Sequence, residues 1–93
     1  GVNVTFDQIP RSLNSYQEAV DVLAEKKSKS KSPWLLIWSL EFCWDKHTFG
    51  NETIEYMEQV FEGSHFEKVY FLESMDGHGH FETNLRLHVI KDN

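Results

Sequence analysis

Hydrophobic positions recur along this chain with two different periods, and the switches between them mark its elements. Val2, Val4 and Phe6 alternate with Asn3 and Thr5, the two-residue period of a short strand, and Pro10 closes it. Leu13, Tyr16, Val20 and Leu23 then recur at helical spacing, with Ala19 and Val22 widening the stripe. Ser15-Tyr16-Gln17-Glu18 fits a capping box, in which Ser15 accepts from the Glu18 amide and Glu18 reaches back. Lys26 and Lys27 suit the negative end of the helix dipole. The pattern predicts a helix over 15–27. Residues 26–33, KKSKSKSP, are polar and end in proline, which predicts an exposed, solubilising loop. The same loop fits a basic localisation signal, or a Ser32-Pro33 phosphorylation site.

PWLLIWSLEFCW, residues 33–44, alternates at period two. Trp34, Leu36, Trp38, Leu40, Phe42 and Trp44 fall on one side, and Leu35, Ile37, Ser39, Glu41 and Cys43 on the other. The first half is apolar on both sides, as in a central strand, and Trp34, Leu36, Trp38 and Leu40 are expected on a buried face. The odd side is expected to emerge from cover near Ser39. Asn51 is a plausible N-cap for a second helix over 52–62, with Ile54, Met57, Val60 and Phe61 as its stripe and Gly63 beyond its end. Lys68 to Glu73 reads as a third strand. Asp76-Gly77-His78-Gly79 is a turn signal. In the last strand Phe81, Thr83, Leu85, Leu87 and Val89 form the expected dry side, and Glu82, Asn84, Arg86 and His88 the wet one.

The order is β-α-β-α-β-β. Two helical crossovers imply parallel pairing of the first three strands, and the hairpin returns the fourth antiparallel. The expectation is a single α/β domain over residues 1–93, with a four-stranded mixed sheet, a C-terminal antiparallel hairpin and two helices. Its 93 residues leave no room for two cores. No apolar run is long enough to span a bilayer. The N-terminus has neither a basic n-region nor an apolar h-region, and a start at Gly1 without Met predicts a module of a larger protein.

Charge narrows the partners. The net charge is −6, yet Lys26, Lys27, Lys29 and Lys31 are four of only nine basic residues. The rest of the chain sets five basic against fifteen acidic residues, which disfavours nucleic acid. One cysteine excludes an internal disulfide and points to the cytoplasm or nucleus. Two N-glycosylation sequons, Asn3-Val4-Thr5 and Asn51-Glu52-Thr53, point the other way.

Candidate chemistry is sparse. His78, His80 and Asp76 could hold a zinc or nickel ion weakly, but the spacing fits no zinc signature. His80 and His88 would lie about 26 Å apart on an extended strand, too far to share an ion. Cys43 has Lys46 and His47 nearby, as an activated thiol would need. A helix, a hydrophobic strand and then Cys43-Trp44-Asp45-Lys46 resembles the thioredoxin-like layout. Lys46 stands where that family's second cysteine would be, and the only prolines are Pro10 and Pro33, so dithiol chemistry is excluded. Val4 to Leu23, PWLLIW, EYMEQVFEGS and VYFLES resemble, over about two-thirds of the chain, the barstar family of small acidic ribonuclease inhibitors. KKSKSKS replaces that family's inhibitory segment, so the resemblance implies an α/β layout and not the inhibition. No phosphate-binding glycine loop and no nucleophile elbow is present.

Thirteen aromatic residues exceed what a small core needs. The resulting expectation is a non-catalytic protein–protein interaction domain without cofactor, binding a protein or peptide rather than nucleic acid or membrane. Trp44, Tyr56 and Cys43 are candidate contacts. So are Glu82, Asn84, Arg86 and His88, on a strand able to accept a peptide at the sheet edge. The alternatives are a degenerate thioredoxin-like domain with an unpaired Cys43, or weak metal binding at His78 and His80.

Overall fold

The computed structural model of the chain describes residues 3–10, 15–39, 51–74 and 85–92. The elements run β1 (Val4–Gln8), α1 (Tyr16–Lys27), β2 (Trp34–Ser39), α2 (Asn51–Glu62), β3 (Lys68–Ser74) and β4 (Leu85–Asp92). The sheet order is β1-β2-β3-β4, the same as the chain order. β1, β2 and β3 pair in parallel, and β4 runs antiparallel to β3. The expected single α/β unit with its mixed sheet is therefore present.

Local sequence accounts for the helices. Ser15 is in an extended conformation and caps α1, its Oγ accepting from the Glu18 amide at 3.1 Å. At the other end the Ser28 hydroxyl donates to the Glu25 carbonyl at 2.6 Å. α2 has no basic residue in its last turn. Lys91 of β4 takes that role, its ammonium donating to the carbonyls of Glu62 at 3.1 Å and Ser64 at 3.0 Å. A bulge makes this possible. Val69 pairs with Lys91 but Tyr70 pairs with Val89, so Ile90 is an extra residue. Ile90 is buried and Lys91 also reaches α2, so two successive residues turn toward the helices.

Right-handed crossovers that step the same way across a sheet put both helices on one side of it. Leu35 and Ile37 of β2 and Val69 and Phe71 of β3, all 0% exposed, share one core with Ala19, Val20 and Leu23 of α1 and Met57 and Phe61 of α2. The molecule is thus a two-layer slab, 35 × 30 × 19 Å.

This arrangement inverts two expectations. In β2 the covered face is Leu35, Ile37 and Ser39, while Trp34, Leu36 and Trp38 stand half-buried on the face away from the helices. Ser39 itself is 2% exposed and does not emerge from cover. In β4, Leu87 and Val89 are the open residues, and His88 and Ile90 face the helices. In β4 the bond of His88 to the buried Glu73 sets the faces. β2 is apolar on both sides, so composition does not choose a face, and the crossovers do.

Candidate functional site

The register places Val4 and Phe6 of β1, Trp34, Leu36 and Trp38 of β2, Tyr70 and Leu72 of β3, and Leu87 and Val89 of β4 on the open face. Phe6 is 58%, Leu87 57% and Val89 55% exposed, and the other six are half-buried by their neighbours across the strands. The three exposed side chains alone leave roughly 300 Å² of apolar area in water. A patch of about 300 Å² is of the order of the largest apolar patch on a typical monomer. Trp34 meets Tyr70 edge to face at 6.3 Å, and the Lys68 ammonium lies 5.7 Å from the Trp34 ring centre. Lys68 is held there by Asp92, its partner across the strands, and this hydrogen bond pushes the ammonium above its usual pKa.

A second cluster lies under the helices, at the carboxyl ends of β2 and β3. Glu73 is 2% exposed, and its Oε1 is 3.0 Å from His88 Nε2. The His88 ring also stacks on Phe71, with centroids 5.8 Å apart. Ser39 sits opposite Glu73 on β2 and Arg86 opposite it on β4. Glu73 Oε2 is buried and finds no hydrogen-bond partner among the described residues. This is a buried hydrogen bond that ties β4 to β3, with the second carboxyl oxygen of Glu73 left without a partner among the described residues.

The candidates from the sequence fall in several places. Tyr56 spans the helices: its hydroxyl donates to Asp21 at 2.7 Å, and its ring meets Tyr16 edge-on at 6.1 Å. The Asp21 bond pushes the phenol above its ordinary pKa. His88 turns inward to Glu73, whereas Arg86 is exposed. Trp44, Cys43, Glu82 and Asn84, and with them His78 and His80, lie outside the described residues. Among the described residues no group of three or more His, Cys, Asp or Glu could hold a metal ion, and no helix is long and apolar enough to cross a membrane. The Lys/Ser loop is tied in at its base, where Lys26 and Lys27 approach Asp7 Oδ2 at 3.2 and 3.6 Å without an aligned hydrogen bond, while Lys29 and Lys31 stay exposed.

The exposure of Phe6, Leu87 and Val89 was not legible in the sequence, because alternation reads apolar as inward. One signal was available. A strand such as WLLIW, apolar on both sides, needs two covers, and two crossovers of one hand supply only one.

Comparison of the chain with protein-family models, with curated proteins and with solved structures finds no match. The likeness to the thioredoxin-like and barstar layouts therefore stands on element order alone.

Proposed function

We propose that this domain is a non-catalytic protein–protein interaction module of the cytoplasm or nucleus, which docks its partner on the open face of the sheet. The observation that carries this reading is the row of Phe6, Leu87 and Val89, each more than half exposed, joined by Trp34, Leu36, Trp38, Tyr70 and Leu72 into one apolar surface. Covering the three exposed side chains is worth about 7 kcal/mol, set against an association cost of about 4–15 kcal/mol. Trp and Tyr are the residue types enriched where binding energy concentrates.

The topology supports the same reading. Open α/β sheets bind small ligands in the crevice where strand order reverses. Here the described strands run in chain order, and no reversal opens such a crevice. A shallow groove of about 560 Å³ does lie between the C-terminal ends of α1 and α2, but it brings together only two titratable side chains, Glu25 and His65. The lone cysteine supports a reducing compartment.

A photo-crosslinking residue at position 87 tests the proposal. It should yield a defined covalent adduct in cells, while the same residue at Gln17, on the exposed side of α1, should not. Equal yields at the two positions, or none at position 87, would remove the reading.

A further inference from the structure

We propose that the open sheet face is a self-association surface on which a second copy of this chain docks, sheet against sheet about a two-fold axis, to give a four-layer α-β-β-α dimer. This rests on the reading of the open face as the docking surface and names its occupant.

Charge selects the occupant. The chain carries −6, yet the described part of the face is neutral. Among the described residues its formal charges are Lys68 and Asp92, which pair with each other. Seven of the fifteen acidic residues sit on the helices: Glu18, Asp21 and Glu25 on α1, and Glu52, Glu55, Glu58 and Glu62 on α2. Packed sheets lie about 10 Å apart and a helix is about 10 Å across, so two acidic layers would stand roughly 30 Å from each other. That exceeds three Debye lengths of ~8 Å at physiological salt. The helical carboxylates therefore do not oppose a face-to-face pair. A basic partner would instead be drawn to the helical layer.

Dimensions agree. A two-fold interface uses one patch on both copies, so the patch must complement itself, as a neutral apolar face does. With its half-buried members the face offers on the order of 500 Å² of apolar area, and two copies remove about 1,000 Å², the threshold of a specific interface. Two slabs each 19 Å thick stack to a depth of twice that, close to their 35 and 30 Å lateral extents. The paired sheets would cross at about 30° with their side chains interdigitated.

The test uses the full chain with Trp44→Phe, which leaves Trp34 and Trp38 as its tryptophans, both on the face. Sedimentation equilibrium from ~1 to ~100 μM should show the mass rise from 11.0 kDa toward twice that value. Acrylamide quenching of the two tryptophans should fall at least about two-fold over the same range. Leu87→Glu should weaken association at least about ten-fold, while Val22→Glu, an exposed position on α1, should leave it within about two-fold. A monomer at the highest concentration with quenchable tryptophans overturns self-association and leaves the face open for another partner. A monomer with shielded tryptophans overturns both readings. A dimer indifferent to Leu87→Glu uses a different surface and also overturns the proposal.

Discussion

The two faces of this sheet are nearly equal in apolar character and opposite in fate. Under the helices, Leu35, Ile37, Val69 and Phe71 are fully buried, and the same face takes in Ser39 and Glu73. On the other side, Phe6, Leu87 and Val89 remain in water. The buried face thus contains the carboxylate, and the open face contains two of the three tryptophans. Composition along a strand does not decide burial. The hand and direction of the crossovers do, and side chains on the uncovered face stay in water.

The largest expected effect is a direct contrast of the two faces. Phe71→Ala should cost about 3–5 kcal/mol in urea unfolding, whereas Phe6→Ala should stay within about 0.5 kcal/mol in the dissociated chain. Comparable losses at the two positions would show that the open face is packed. The next effect concerns the polar part of the covered face. His88→Leu leaves the buried Glu73 carboxyl without its hydrogen-bond partner and should cost about 1–3 kcal/mol. Adding Glu73→Leu should recover most of that loss, and a double-mutant cycle with additive losses would mean that the pair is not coupled.

The smallest effect is a pH dependence at the periphery of both layers. Tyr56, bonded to Asp21, and Lys68, bonded to Asp92, both have raised pKa values. For each group the protonated form is the one the fold favours, so its contribution is fully present below the unfolded values near pH 10. It is lost as pH rises through the higher folded values. The urea midpoint of Tyr56→Phe and of Lys68→Met should therefore fall less steeply than that of the parent chain in this alkaline range. Parallel profiles would show that the two bonds are not formed in solution.

Elements were legible wherever the signal was local. The Ser15 cap and the helix from Tyr16 to Lys27 follow from residues within one turn of each other. α2 begins at Asn51, one residue ahead of the expected start, a difference of the size at which helix ends are ordinarily ambiguous. β1 runs to Gln8, beyond the alternation that suggested it, because Asp7 and Gln8 pair with Ile37 and Trp38 of β2. What sequence did not carry was long-range. The demand of Glu73 for an imidazole, fifteen residues away, turns His88 inward and sends Leu87 and Val89 out. Tyr56 likewise finds Asp21 across thirty-five residues. Trp44 and Cys43, where the aromatic surplus and the thiol chemistry were expected to act, lie outside the described residues.

Because the strands join the sheet in the order they are synthesised, β1, α1 and β2 can close on one another as soon as Ser39 has left the ribosome. β4 comes last. Until it arrives, Glu73 lacks its imidazole, α2 lacks its C-terminal ammonium, and β3 exposes an edge that nothing caps. The nascent chain is then most exposed to mispairing in the interval between β3 and β4. Ile90 and Lys91, at the bulge in β4, end that interval.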